Sequence, residues 1–476
     1  MPRASGRLER SALVALGAMA MAVFVVANDV TALSVALPSI ESDFDADVGT
    51  VQWVISAYAL IFGVLIVTGG RLADLLGRRR IFFVGAGIFA VFSLLGGLAP
   101  EVWMLIACRA LMGIGGALMW PATLGMTYSI LPKERAALAG GLIIGAAGFG
   151  NAAGPLIGGL LTDLLDWRWI LFLNVPIAAV ACLVTWRAVP ESRAEAVERR
   201  FDYAGVATLT IGLVALLVAL DEVDDFGWGS AWILGLLALF AVLLAAFVLQ
   251  ERRAGDRALV PRDIMSNRAF ASACLAVLLM SPTFFVALVY LPQFMQKILG
   301  YSPVEAGLGL LPMMGVFAVV SFVAGPLYER LGPRPVLAAG AACLVAGPLL
   351  ISLIETGDSW AQLIPGMVLL GAGVGLFYSA VTTAAVTALD PSRASLAGGI
   401  VYMFQVGGGS VGLGIATTIF TAAAGDSISS SLERVVRDSF ESGFQATFLL
   451  VAAVAFAGFL VTVLFVGRSA KQPARG

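Results

Sequence analysis

Apolar segments of helical length recur along the whole chain, and no other feature constrains its fold as strongly. Each has about 20 residues or more, enough to cross a hydrocarbon core roughly 30 Å thick at about 1.5 Å per residue. Hydrophobic residues make up 59% of the 476 residues and charged residues 13%, whereas soluble domains carry about 25% charged residues. We therefore predict an all-α integral membrane protein with fourteen transmembrane helices, at residues 11–37, 51–70, 80–99, 103–130, 138–162, 168–189, 203–221, 230–250, 268–292, 304–328, 335–354, 361–388, 395–422 and 444–467.

The charges of the loops predict how these helices are oriented. Arg71, Arg78, Arg79 and Arg80 crowd the loop after the second segment, and further basic residues recur in every second loop and at both ends of the chain. The intervening loops carry mostly acids, as in residues 41–47. Because cytoplasmic loops carry an excess of Lys and Arg, both termini are predicted to be cytoplasmic.

An internal repeat divides the chain. Residues 70–79 resemble residues 325–334, and the Leu-Ala-Gly-Gly of residues 138–141 recurs at residues 396–399. The offsets, 255 and 258, are nearly constant. Parallel halves around an axis normal to the membrane are typical of alternating-access carriers. The predicted divisions are two six-helix halves, 1–200 and 265–476, and between them two inserted helices with a cytoplasmic loop, 201–264.

Two ionisable side chains lie inside the predicted spans of the first half. Asp29 lies deep in the first segment, where a carboxylate costs roughly 2.5–3.5 kcal/mol on insertion scales and typically handles protons or substrate. Arg109 lies at a similar depth in the fourth segment, so the two can meet directly or through water. A purely structural ion pair is the alternative. If Asp29 carries a proton, it must lie nearer Arg109 in one conformation of the protein than in the other.

The residue content excludes several chemistries. The sequence has no histidine, and none of its three lysines follows a Gly-x-x-x-x-Gly, so no P-loop is present. No nucleophile–base pair or metal cluster is visible, so we predict no enzyme activity, no metal and no cofactor besides the proton gradient. A net charge of −2 suggests no nucleic-acid partner. Four cysteines lie in apolar segments and are predicted to be buried packing residues: Cys108, Cys182, Cys274 and Cys343.

The loop from Gly70 to Arg80 resembles the signature of the major facilitator superfamily, Gly-x-Leu-Ala-Asp-x-x-Gly-Arg-Arg/Lys-x. With fourteen spans, the chain is similar to the drug:proton antiporter branch of that superfamily, which includes multidrug and quaternary-ammonium exporters. The resemblance implies a cytoplasmic gate whose ion pairs form in one conformation and release in another. A basic loop that only orients the chain is the alternative. The gate residues are Gly70, Asp74, Gly77, Arg78 and Arg79.

The fifth segment fits the antiporter motif of the exporter families at every fixed position. Its glycines permit close helix contact, and its proline interrupts the backbone hydrogen bonds, so a bendable interface is predicted. Ordinary Gly-x-x-x-Gly packing is the alternative, but it would not require the proline. The motif residues are Gly141, Gly150, Gly154, Pro155, Gly158 and Gly159.

Polar and aromatic residues within the spans are candidates for lining a substrate cavity, because aromatic faces together with a carboxylate attract lipophilic cations. Glu305 is predicted to be a helix cap that faces water. The cavity candidates are Gln52, Trp53, Tyr58, Trp120, Asn151, Tyr290, Gln293, Tyr378, Tyr402 and Gln405.

Together these features predict a monomeric bacterial inner-membrane carrier that exports amphipathic compounds, cations among them, in exchange for protons. Asp29 would accept the proton or cation, and Arg109 would modulate it. Its partners would be the small-molecule substrate, protons and the lipid bilayer. An uptake symporter on the same scaffold is the closest alternative, and it predicts accumulation of substrate. A membrane receptor would need a sizeable soluble domain, and no loop is long enough for one.

Overall fold

Long α-helices make up nearly all of the computed structural model, which describes residues 10–46, 48–132, 135–193, 203–254, 264, 266–355, 357–424 and 433–466; no strand occurs in these ranges. Two short α-helices, Val223–Phe226 and Pro303–Gly309, and a 3₁₀ turn, Pro391–Arg393, lie in the connections. The long helices are α1 Arg10–Phe44, α2 Val48–Leu76, α3 Arg78–Gly97, α4 Val102–Ile130, α5 Ala136–Leu164, α6 Arg168–Ala188, α7 Tyr203–Asp221, α8 Ala231–Ala254, α9 Arg268–Lys297, α10 Leu311–Leu331, α11 Pro333–Ile351, α12 Trp360–Thr387, α13 Ala394–Ala424 and α14 Glu433–Phe465.

Each of the fourteen predicted segments corresponds to one long helix. Within the described ranges, thirteen of these helices are long and apolar enough to span a membrane, and the apolar part of α7, Ala204–Leu220, is shorter. The all-α membrane fold is therefore confirmed. The predicted segment 304–328 is divided in the structure, because the short helix Pro303–Gly309 precedes α10.

The short helix Pro303–Gly309 begins with a capping box. The Ser302 N–H donates to Glu305 Oε2 at 2.8 Å, and the Glu305 N–H donates to Ser302 Oγ at 3.3 Å. The hydrogen bond from the Ser302 N–H, together with the Ser302 side chain, holds the pKa of the exposed Glu305 below its ordinary value, since such bonds favour the charged carboxylate. The predicted helix cap is therefore confirmed, and its side chain is exposed.

The first six and the last six helices pack in the same pattern. In the first half α4 lies against α2 and α3, and α1 lies against α5 and α6; in the second half α12 lies against α10 and α11, and α9 lies against α13 and α14. Glycine contacts repeat as well. A Cβ at Gly70 would lie 3.0 Å from Leu396 Cα, and one at Gly325 would lie 3.1 Å from Leu138 Cα. The sequence repeat is thus also a structural one.

The two halves meet along α5 with α10 and α12, and along α2 with α13. A Cβ at Gly141 would lie 2.7 Å from the Ser321 carbonyl oxygen, and one at Gly399 would lie 2.8 Å from the Ile66 carbonyl oxygen. Small residues are needed here because the backbones touch without side chains between them. The interface between the halves is therefore closely packed at these two crossings.

The inserted helices α7 and α8 form a hairpin beside this twelve-helix core. α7 contacts α2 and α13, whereas α8 packs against α7, and only 6% of the apolar stretch of α8 is buried. The Trp228 indole N–H, in the connection between them, donates to Thr418 Oγ1 of α13. The hairpin therefore covers the seam between the halves on the α2–α13 side.

Two of the four cysteine predictions were wrong. Cys108 and Cys274 are buried as predicted, but Cys182 of α6 and Cys343 of α11 are half-buried.

The sequence between the last two predicted segments, residues 423–443, is helical where it is described. The helix α13 ends at Ala424, residues 425–432 lie outside the described part, and α14 begins at Glu433.

Gly158 and Gly159 are neighbours in α5 with opposite surroundings. A Cβ at Gly158 would overlap the backbone of Ala32 in α1, 2.9 Å from its Cα, whereas at Gly159 the nearest atom is Val304 Cγ1 at 3.9 Å. We expect Gly158→Ala to lower the free energy of unfolding by about 1–3 kcal/mol through overpacking, and Gly159→Ala to leave it unchanged or raise it by up to about 1 kcal/mol. Unfolding of the purified variants in detergent measures both, and equal losses would contradict the α1–α5 contact.

Candidate functional site

Asp29 of α1 and Arg109 of α4 form a buried ion pair. Both side chains are 0% exposed, and the Arg109 Nη1–H donates to Asp29 Oδ2. The structure thus brings together the two ionisable residues that the sequence placed at similar depth. Removing charges from water costs several kcal/mol per ion, and loss of one partner leaves an uncompensated charge. Each of the two residues therefore needs the other, or a substitute for it.

Asn174 and Ser93 hold the carboxylate from the other side. The Asn174 Nδ2–H donates to Asp29 Oδ1 at 2.7 Å and to Ser93 Oγ at 3.1 Å, and the Ser93 hydroxyl donates to the Leu171 carbonyl oxygen at 2.7 Å. Both side chains are buried. Neither was among the predicted site residues. The available signal was a lone amide and a lone hydroxyl, each within an otherwise apolar span.

Arg109 is fixed by α2 as well. Its Nε–H donates to the Val54 carbonyl oxygen at 2.9 Å, and its guanidinium carbon lies 4.4 Å from the centroid of the Tyr58 ring. The ring face attracts the cation, and more strongly so in a desolvated site. The ion pair thus joins four helices of the first half, α1, α2, α4 and α6.

Several polar atoms near the pair have no hydrogen-bond partner among the described residues. They are Arg109 Nη2, Tyr58 Oη, Asn174 Oδ1 and both polar atoms of the Asn28 amide, all in buried side chains. Buried polar groups are normally paired. The site therefore has hydrogen-bonding capacity that a rearrangement or a ligand can use.

A central cavity of about 180 Å³ lies between the halves, and Tyr58 separates it from the ion pair. Trp120 of α4 and Tyr402 of α13 approach each other across it, with ring centroids 4.8 Å apart. Gln293 and Tyr290 line a neighbouring cavity, Trp53 lines neither of the two, and the side chain of Gln52 lies outside the described residues. The predicted candidates that line the central cavity are Tyr58, Trp120, Asn151, Tyr378, Tyr402 and Gln405.

Asp74 and Arg78 join the halves at one end of the bundle, and we call their contacts with residues 391–396 the latch. The Leu396 and Ser395 N–H groups, at the start of α13, donate to Asp74 at 2.9 and 3.4 Å. The carboxylate thus satisfies unpaired N–H groups of the first helical turn and the positive end of the helix dipole.

Arg78 completes the latch from the same loop. It pairs with Asp74 at 2.9 Å and donates to the carbonyl oxygens of Gly125, Pro391 and Ser392 at 3.2, 2.9 and 3.2 Å. Both charged side chains are buried. The latch is therefore closed in this conformation.

The remaining gate residues have other contacts. Gly77 has φ +114° and lets the chain turn between α2 and α3, a conformation that favours glycine. Arg79 lies away from Asp74; its backbone N–H donates to Glu191 at 3.0 Å and its guanidinium to the Val189 carbonyl oxygen at 2.9 Å. Arg79 therefore ties the loop to the end of α6 within the same half.

The motif residues of α5 contact three other elements. Gly141 faces α10 in the second half, whereas a Cβ at Gly150 would lie 2.8 Å from the Phe24 carbonyl oxygen of α1. Gly154 and Gly158 continue along α1, and Pro155 lies against Gly307 of the short helix Pro303–Gly309. α5 thus packs closely against both halves along its length, and its glycines are where it does so.

These features define a class of protein. Two similar six-helix halves meet at glycine crossings, enclose a central cavity and carry a buried ion pair in one half, which is the architecture of alternating-access carriers. The sequence profile of the Major Facilitator Superfamily matches residues 19–413 and 273–476. The chain belongs to this superfamily of membrane transporters.

Several relatives match most of the chain. It is 36% identical over 409 residues to the puromycin resistance protein pur8 of Streptomyces alboniger, covering 84% of this chain and 80% of the relative. It is 31% identical over 447 residues to the multidrug resistance protein Stp of Mycobacterium tuberculosis, covering 94% and 83%. The tetracenomycin C resistance and export protein of Streptomyces glaucescens is 32% identical over 409 residues, covering 86% and 76%.

A solved structure has the same fold. The human organic anion transporter MFSD10 (TETRAN) superposes with a TM-score of 0.68 at 14% identity, covering 95% of this chain and 99% of that one. At this identity the likeness concerns the fold alone.

The ion pair can be tested by a double-mutant cycle. Asp29→Asn or Arg109→Gln alone should lower the free energy of unfolding by about 3–5 kcal/mol, because the remaining charge stays buried. The double variant should lose less than either single one, because it buries no charge. Unfolding in detergent measures this, with Asp163→Asn, an exposed site at the end of α5, as the matched control. Additive losses would show that the two charges do not interact.

The latch can be tested by amide hydrogen exchange. Asp74→Asn removes the charge that accepts from the Leu396 and Ser395 N–H groups, and a hydrogen bond to a charged group contributes about 1.5–3 kcal/mol. We expect these amides to exchange more than tenfold faster in Asp74→Asn than in the wild type or in Asp163→Asn. Unchanged exchange would mean that α13 is held without the carboxylate.

Proposed function

We propose that this chain exports amphipathic drugs or antibiotics, cations among them, in exchange for protons by alternating access. The observation that carries the proposal is the buried Asp29–Arg109 pair beside an aromatic cavity between two similar halves. Relatives that match most of the chain bear the names of resistance and export proteins, which supports the direction of transport.

The proposed chemistry depends on which group balances the negative charge of Asp29. While Arg109 contacts the carboxylate, a proton or a substrate cation gains little by binding there. If Arg109 withdraws, the carboxylate is left in a low-dielectric environment, where the charged form is unfavourable, and a proton or cation then takes the place of the arginine. If α4 moves away from α1, the negative charge of Asp29 is thus balanced by a proton or a cation instead of by Arg109.

The latch supplies the other requirement of the proposed transport cycle, a gate that opens and closes. The excess of basic residues in alternate loops supports a cytoplasmic location for the latch. In this orientation the conformation described here is closed to the cytoplasm. Opening it requires Asp74 to leave the start of α13 and Arg78 to leave residues 391 and 392.

Efflux from whole cells tests the proposal. Bacteria that express the wild type and are loaded with ethidium, a fluorescent lipophilic cation, should lose the dye. Asp29→Asn should slow the loss at least tenfold, because the variant cannot exchange a proton or pair with the cation. Asp163→Asn, which also replaces one carboxylate but at the exposed end of α5, should match the wild type.

Two further measurements separate the alternatives. Collapse of the pH gradient should reduce wild-type efflux to the level of Asp29→Asn, and efflux that persists would remove proton coupling. Dye accumulation above that of cells lacking the protein would instead identify an uptake symporter. Equal amounts of all variants in the membrane, checked by immunoblot, exclude lower expression as the cause of slower efflux.

A further inference from the structure

A second cavity opens beside the central one, and one of its walls comes from the inserted hairpin. This side cavity has a volume of about 540 Å³ and is lined by α2, α9, α13 and α7. Ala59, Phe285 and Val406 line both cavities. The two cavities are therefore neighbours that share part of their walls.

The volumes decide which cavity can hold a substrate in this conformation. Sites for drug-sized ligands typically measure about 300–1,000 Å³. The central cavity, at about 180 Å³, is too small, whereas the side cavity, at about 540 Å³, lies within this range. With the latch closed, the side cavity is thus the larger of the two and the one that fits such a molecule.

The lining of the side cavity has polar groups but no formal charge. Tyr290 and Thr417 form a hydrogen bond at 3.2 Å on one side, and Gln293 and Ser410 add an amide and a hydroxyl. The rest of the wall is largely apolar. A neutral amphipathic molecule suits this lining better than a cation, which would give up its hydration without gaining a counter-charge.

The inserted helix α7 closes the side cavity where the halves leave a seam. A Cβ at Gly414 of α13 would lie 3.4 Å from Leu220 Cδ2, and one at Gly63 of α2 would lie 4.0 Å from Leu217 Cδ1. The two leucines thus lie against glycines of both halves and also line the cavity. Ile211, on the same helix, is 52% exposed at the outer surface.

We propose that the side cavity is a binding subsite for neutral amphipathic compounds and that Leu217 and Leu220 of the inserted helix α7 set which of them fit. The subsite deepens the proposed export function, and its transport consequences rest on that function. Its occupancy by a neutral compound does not, because binding can be measured in the purified protein without transport.

Thiol labelling tests the subsite without transport. Ser410→Cys places a thiol in the side cavity, and N-phenylmaleimide, which is neutral and amphipathic, should label it; the protein without this substitution serves as the blank for the native cysteines. Adding Leu220→Trp should place a bulky ring in the cavity and slow labelling at least tenfold, while adding Ile211→Trp, on the outer face of the same helix, should not. Equal labelling rates in the two tryptophan variants would overturn the proposal.

Efflux then tests selectivity. Among compounds that the wild type exports, Leu220→Trp should reduce the export of neutral polycyclic compounds at least tenfold more than that of lipophilic cations, and Ile211→Trp should change neither. Equal effects of Leu220→Trp on both classes would overturn the assigned selectivity. Absence of any export by the wild type would refute the proposed function, and the labelling result would still decide whether the subsite exists.

Discussion

The contact between Asp29 and Arg109, both 0% exposed, is the interaction on which the rest of this structure depends. Neither charge is tolerable there alone, since the desolvation cost is offset by the partner, by the hydrogen bonds from Asn174 and to Val54, and by the Tyr58 ring. Any movement that parts the pair must supply another counter-charge or neutralise the carboxylate. In the proposed cycle this would link conformation to proton or cation binding, and each would bias the other by the same free energy.

The same helices carry the pair and the latch. α2 bears Val54, which accepts from Arg109, and Asp74, about 30 Å further along at about 1.5 Å per residue. α4 bears Arg109 and, near its other end, Gly125, whose carbonyl accepts from Arg78. Because α2 and α4 pack along much of their length, a tilt of these two helices as a rigid pair would move the ion pair and the latch together. Two distant sites can thus be coupled by rigid packing alone.

The length of the apolar segments was enough to predict the helices, because backbone groups in lipid must pair within their own segment. The similar depth of Asp29 and Arg109 in their spans was enough to predict that the two side chains can meet. The rotation of each helix about its axis was not predictable, since an apolar surface can face either lipid or protein. For this reason Asn174 was missed, and Trp53 and Gln293 lie away from the central cavity.

The packing of the first half recurs in the second half, but the buried carboxylate of Asp29 does not. Gly408 lies against Leu278 as Gly150 lies against Phe24, and in the same register, 254 residues on, Thr283 stands in the place of Asp29. The Thr283 hydroxyl donates to the Met280 carbonyl oxygen at 2.6 Å, a bond within its own helix that needs no partner elsewhere. The described pair of Asp29 and Arg109 thus belongs to the first half, and the place of its carboxylate in the second half holds an uncharged hydroxyl. In the proposed cycle, a change in what balances the Asp29 charge would therefore act on the first half.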